Sequence, residues 1–412
     1  MRKINFSIAL VVISGSFFLF GCQSGQTKES TKTEILAEFD IPIDSNLILL
    51  PVTFQGKEYQ FLLDTGAKHL IYDDSFKDKL RKMWLGPITM KGRTFDGQMF
   101  DYVRLPAPET FLGQMNMKVS KYVMVTETDK IRGNKEYFQG IIGMDLLKKY
   151  IVQIDFDEGK VIFFKAKKDF DLFSIFKPKE NKHPEWGEAI TLKTKIFSNI
   201  RYVNVKLPNN IRDDFLVDTG WCFNPPSLKS KIFDKVLSYN NPKDKRQDAN
   251  STPAGFSGYV PAQVIDEFSV GSFKYENNIF MRNYISILGL PFLSRHLVTF
   301  DFQNNMMYLK KGKNFDKQSN VNAKISFIAG CLLESENHVI SSVDPNGPAY
   351  QKGVRNGDIL IKICDQDISN MSFTEFFKFI TQFSVPEDGK VPLIFKRGEE
   401  TFKVEFVRKN GK

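Results

Sequence analysis

The chain has 412 residues, 42% hydrophobic and 25% charged, close to globular averages, which excludes disordered, collagen-like and multi-span membrane classes. That length predicts roughly two to four domains, each able to bury its own core. Lysine and arginine number 57 against 48 acidic residues, and the net charge of +9 is spread without a basic block, so no nucleic-acid partner is indicated. The four His and four Cys lie far apart with no HExxH and no paired CxxC, which argues against a zinc hydrolase or zinc ribbon.

Arg2 and Lys3 precede a mostly apolar run over residues 4–20 that ends in Leu19-Phe20-Gly21-Cys22 and then turns polar. The run is short and is interrupted by Asn5, Ser7, Ser14, Gly15 and Ser16, which favours a signal peptide over the alternative, an uncleaved transmembrane anchor. It resembles bacterial lipoprotein signals. That resemblance implies removal of residues 1–21, lipidation of Cys22, a polar tether over residues 22–39, and a place in the bacterial cell envelope outside the cytoplasm. Cys222, Cys331 and Cys364 then remain, an odd number that implies no disulfide framework. Cys331 and Cys364 could pair; buried free thiols are the favoured alternative, because Cys is often buried as a small hydrophobe.

Residues 48–54 and 59–63 are rich in strand formers and flank Gln55-Gly56-Lys57-Glu58, a hairpin signal that runs into Asp64-Thr65-Gly66-Ala67. Residues 201–207 and 214–217 repeat the hairpin and run into Asp218-Thr219-Gly220-Trp221. A second shared block follows each: Ile141-Ile142-Gly143 with Asp155 beyond it, and Ile287-Leu288-Gly289 with Asp301 at the same separation. The two halves are therefore diverged copies of one strand-rich unit. Residues 164–188 read as a polar connector between them, and residues 310–322 as a second connector with few contacts across it.

A carboxylate on a tight loop, with Gly allowing the turn and Thr supplying a hydroxyl, can be presented opposite its twin. Two carboxyls held about 3 Å apart share one proton, so one can act as base towards a bridging water while the other donates to a carbonyl oxygen. On these motifs the sequence resembles the aspartic proteases. Phe-Leu-Leu-Asp-Thr-Gly-Ala with Gly-Ile-Ile-Gly is similar to the retroviral-type motif pair, and two lobes in one chain to the pepsin plan. The resemblance implies β-barrel lobes over residues 40–175 and 186–312, with Asp64 and Asp218 as the catalytic pair. Thr65, Gly66, Thr219 and Gly220 would support it, the threonines bracing the loops, and the apolar-apolar-Gly segments would cross beneath. Trp221 stands where the family carries Ser, Thr or Ala, so its indole is expected to border the cleft. Residues 93–102, with an Asp96-Gly97 turn, are the candidate flap. His69, near the first loop, is expected to be solvated or packed, and Cys222 to be a buried structural thiol.

Residues 344–360, with Gly347-Pro348-Ala349 before a short helix and Gly357-Asp358 before a strand, resemble the core of bacterial PDZ domains, a likeness covering residues 323–409. It implies a groove in which an extended peptide adds a strand and places its terminal carboxylate on backbone N–H groups. Ile328, Ala329, Gly330 and Cys331 would form that carboxylate loop, and the apolar spacing of residues 372–383 the helical wall. The expectation is a mainly β chain of two pepsin/retropepsin-like lobes followed by an α+β PDZ domain. It would act as a lipid-anchored aspartic endopeptidase on protein or peptide substrates, with no metal or organic cofactor. The alternatives are an inactive peptide-binding lipoprotein and a PDZ-based assembly protein.

Overall fold

In the first hairpin Gln55 and Gly56 take positive φ (50° and 75°), forming a two-residue turn whose twist matches that of the flanking strands. It folds Leu49–Phe54 onto Lys57–Leu63 in antiparallel register. Phe61 and Leu63 enter the core, while Leu62 faces an outer cluster with Ile71, Phe138 and Ile141. Burial on both faces is why this strand is continuously apolar. The computed structural model describes residues 33–42, 47–81, 89–93, 99–127, 138–166, 183–195, 198–221, 225–239, 245–252, 255–316, 331–333, 338, 340–343, 348–371, 375, 376, 379, 383, 386 and 388–407.

The chain is mainly β. In the first half, Gly140–Ile142 runs parallel to the hairpin strand, with Ile141 opposite Leu62. In the second half, Arg201–Lys206 pairs with Arg212–Asp218, and Ile287–Gly289 runs parallel to that strand with Ile287 opposite Leu216. The repeat read from the sequence is thus a repeat of register. The halves share six consecutive antiparallel strands of a 13-stranded sheet, in the order Ile35–Asp40, Lys160–Lys165, Tyr150–Asp155, His296–Asp301, Met306–Lys311, Glu188–Thr194. Its two central strands are the equivalents Tyr150–Asp155 and His296–Asp301, and they pair with each other. One hydrophobic cluster, from Ile41 to Phe315, continues through both halves.

Three expectations are corrected by this sheet. The stretch read as a tether contains its first edge strand, Ile35–Asp40, none of whose residues is fully buried. The first connector begins inside strand Lys160–Lys165 and ends on Pro184–Trp186. There Trp186 stacks on His183 at 3.8 Å and meets Tyr308 at 5.3 Å, covering the outer face of the sheet. The second connector begins inside strand Met306–Lys311, and Phe315 beyond it is buried.

The C-terminal module has a core of its own around Val354, Leu360, Ile363, Val391, Leu393 and Phe395. Its sheet contains Ile359–Ile363, Lys390–Arg397 and Glu400–Val407, and a second ladder joins Cys331–Leu333 to Ile340–Val343. Asp358 is buried and held by Arg397, whose Nη2 lies 2.8 Å from Oδ2, which fixes the turn before the central strand. Cys331 belongs to a strand opposite Val343 rather than to a loop, because Cys-Leu-Leu is apolar and finds a pairing partner. Cys364 is a half-buried free thiol. The apolar run with Cys22, Cys222, the expected carboxylate-loop residues Ile328, Ala329 and Gly330, and most of residues 372–383 lie outside the described residues.

Candidate active site

Each hairpin strand ends by delivering an Asp-Thr-Gly loop to the boundary between the halves, and the loops interlock. The Thr65 backbone N–H donates to Thr219 Oγ1 at 3.0 Å, and the Thr219 N–H donates to Thr65 Oγ1 at 3.0 Å. Each hydroxyl in turn donates across the boundary, Thr65 to the Val217 carbonyl and Thr219 to the Leu63 carbonyl, both at 2.8 Å. Both threonines are buried, so these four bonds satisfy groups that water does not reach.

The interlock brings the two carboxyl groups together. Gly66 lies against Asp218, where an added Cβ would stand 2.5 Å from the carboxyl carbon, and Gly220 lies against Asp64, where the same atom would stand 2.6 Å away. Glycine is required at both positions because the opposite aspartate occupies the space of a side chain. Asp64 Oδ1 accepts from the N–H groups of Gly66 and Ala67 at 2.7 and 2.8 Å, and Asp218 Oδ1 accepts from Gly220 N–H at 2.8 Å.

The environments differ. Asp218 is 4% exposed, whereas Asp64 is partly open. Burial, followed by the charge of Asp64, pushes the Asp218 carboxyl well above the usual range, against backbone donation from Gly220 and Trp221. Two carboxyls this close do not both ionise easily, so the pair as a whole is arranged to share one proton. Beneath the loops Met144 N–H donates to Ala67 O and Leu290 N–H to Trp221 O, both at 2.8 Å, and Gly143 and Gly289 press on the backbone there.

Trp221 does not border an open cleft. It is 8% exposed, belongs to the core, packs against Gly289, and its indole N–H donates to the Pro225 carbonyl at 3.0 Å. The Trp221 backbone N–H donates to the Asp218 carbonyl at 3.3 Å, beside the Gly220 N–H on the carboxylate. His69 is exposed and its Nδ1 lies 2.8 Å from Asp145 Oδ2, a surface contact. The candidate flap is an antiparallel hairpin, Thr89–Arg93 with Met99–Pro106, whose tip at 94–98 lies outside the described residues.

A second hairpin, Lys245–Thr252 with Gly255–Val270, was not legible in the sequence. The two are equivalents: Met99–Pro106 pairs with a strand running parallel to Ile71–Asp73, and Gly255–Val270 with one parallel to Ser227–Lys229.

An aspartyl protease family model matches residues 50–146, the span that holds Asp64 and the crossing strand Gly140–Ile142. A PDZ domain model matches residues 313–393. No curated protein matches the chain. The chain therefore carries an aspartyl protease-like domain and, near its C terminus, a PDZ domain.

Proposed function

We propose that this chain is an aspartic endopeptidase in which Asp64 and Asp218 act as one catalytic pair, the second half of the chain being a second protease lobe. The observation that carries the reading is the reciprocal exchange between Thr65 and Thr219, which sets the two carboxyls face to face. A water held between them loses a proton to ionised Asp64 as its oxygen attacks the peptide carbonyl carbon. Asp218 gives its proton to the carbonyl oxygen, and a tetrahedral diol forms. Asp64 then protonates the departing amide nitrogen while Asp218 recovers a proton from the diol, and the carbon–nitrogen bond breaks. The C-terminal domain supplies a groove for the C-terminus of a peptide, and lipidated Cys22 anchors the chain in the bacterial cell envelope outside the cytoplasm.

Incubating the protein with a diverse peptide pool across several pH values, beside Asp64→Asn and Asp218→Asn, tests the pair. Each variant is expected to lose nearly all cleavage and the double variant to be hardly worse, since the carboxyls work as a unit. Activity surviving either change refutes the assignment, and peptide binding without turnover by the wild type favours a peptide-binding protein instead.

A further inference from the structure

Residues 312–316, Gly-Lys-Asn-Phe-Asp, read as linker by composition, yet they are fastened to both halves of the chain. The ring of Phe315, 7% exposed, sits among Phe273, Tyr275 and His296 at centroid separations of 5.8, 5.5 and 5.4 Å. Its carbonyl accepts from Arg295 Nε at 2.7 Å and Nη2 at 2.5 Å. Two residues earlier, Lys313 N–H donates to Asp157 Oδ2 at 2.8 Å, and its ammonium reaches Glu158 Oε1 at 3.0 Å. Asp157 and Glu158 lie in the turn between Tyr150–Asp155 and Lys160–Lys165, in the first half, whereas Arg295 and the aromatic cage belong to the second.

Arg295 explains why this attachment holds. Arg295 is 6% exposed as a residue, and its guanidinium bonds go to neutral oxygens, the Phe315 carbonyl and Asn278 Oδ1, the latter at 3.0 Å. It also lies against the rings of Tyr275 and Phe315 at 4.9 and 5.6 Å. Lifting residues 312–316 would remove two of its three bonds and leave a charge stranded in an aromatic pocket, which is strongly unfavourable. The segment therefore stays seated unless Arg295 regains water.

We propose that residues 312–316 form a clasp that ties the two halves together at one end of their shared sheet and roots the PDZ domain there. From Phe315 to the strand Cys331–Leu333 the chain spans at most about 55 Å. Where the peptidase reading holds, a peptide in the groove is thereby kept at high local concentration around the aspartate pair.

Hydrogen exchange on the full chain tests the clasp without needing substrate, so the result stands apart from whether the protein cleaves peptides. Phe315→Ala is expected to raise exchange at least about tenfold both in His296–Asp301 and in the turn at 156–159 of the other half. Asp157→Ala, which alters only the partly exposed first-half acceptor, is expected to raise exchange over residues 312–316 in a chain that remains folded. An effect of Phe315→Ala confined to the second half, or unchanged protection of residues 312–316 in Asp157→Ala, overturns the proposal. Should Phe315→Ala not fold, the Asp157→Ala measurement alone decides it.

Discussion

Gln153 and Thr299 face each other across the middle of the six shared strands, with the Gln153 amide nitrogen donating to the Thr299 hydroxyl at 2.7 Å. They hold equivalent places in the two halves, so an approximate two-fold relation passes between them, as it does between Thr65 and Thr219. The halves are thus registered twice, once in the sheet and once at the loops. Catalysis by a carboxyl pair needs such control, since reacting groups misplaced by about 1 Å lose on the order of a hundredfold in rate.

Thr219→Val keeps the volume of the side chain and removes its hydroxyl. The Leu63 carbonyl loses its donor and the Thr65 N–H its acceptor, both buried, a loss of about 3 kcal/mol. Thr219→Ser retains both bonds and is expected to stay within about 1 kcal/mol of the wild type. Chemical denaturation of the two variants checks the comparison, and equal stability would mean that the hydroxyl exchange is not what holds the loops.

Asp218→Asn separates the stability of the pair from its chemistry. A free aspartic acid titrates near 3.8, and Asp218 is held well above that in the folded chain, mainly by burial. The folded form therefore retains a proton that the unfolded chain releases once the pH exceeds the free value. This contribution to stability is complete below that value and is lost as pH rises through the folded pKa. Asparagine does not ionise, so the melting temperature of Asp218→Asn relative to wild type should rise as the pH is raised above the free value. A difference independent of pH would remove the case for a proton held at this site.

Trp221→Ser is expected to destabilise the fold rather than retune a cleft. The indole fills space left open by Gly289, and its N–H serves the Pro225 carbonyl, so truncation leaves both a cavity and an unpaired acceptor. A loss of about 3 to 5 kcal/mol follows, and Trp221→Phe, which keeps most of the volume, should lose less. Thermal melts rank the two. A serine variant that melts like the wild type but selects different peptides would restore the cleft assignment.

How far the sequence revealed this structure follows from how local each feature is. The Gln55-Gly56 turn, the strands into Asp64 and Asp218, and the pairing of Thr65 with Thr219 rest on short-range turn chemistry, strand period and a repeated motif. The six shared strands join segments far apart in the chain, so the edge strand Ile35–Asp40, with Ile35 itself 55% exposed, carries no pattern that separates it from a polar tether. Trp221 was misplaced for a related reason. Its surroundings are decided by Gly289, whose missing side chain acquires meaning only once the two segments meet. The clasp is polar by composition except for Phe315, and Arg295 gives no sign of burial without the carbonyl it holds.

His296 is expected to weaken the second half in acid. It is 1% exposed, its Nε2 lies 2.9 Å from the Tyr275 hydroxyl, and it shares the cage of Phe315 with Arg295 beside it and Lys311 paired opposite. Burial first, and then the charge of Arg295, pulls the imidazole from 6.5 down to about 4. The unfolded chain therefore binds a proton that the folded chain refuses between these values. The stabilising contribution is complete above pH 6.5 and is lost as pH falls through about 4, in the direction opposite to that of Asp218. The full span corresponds to about 3 kcal/mol. Protonation would add a second buried charge next to Arg295, so local opening should begin in His296–Asp301 and residues 312–316 before the rest of the chain. Hydrogen exchange at pH 7 and pH 4.5, corrected for intrinsic rates, should show protection falling there first. Uniform loss across the chain would place the acid-sensitive group elsewhere.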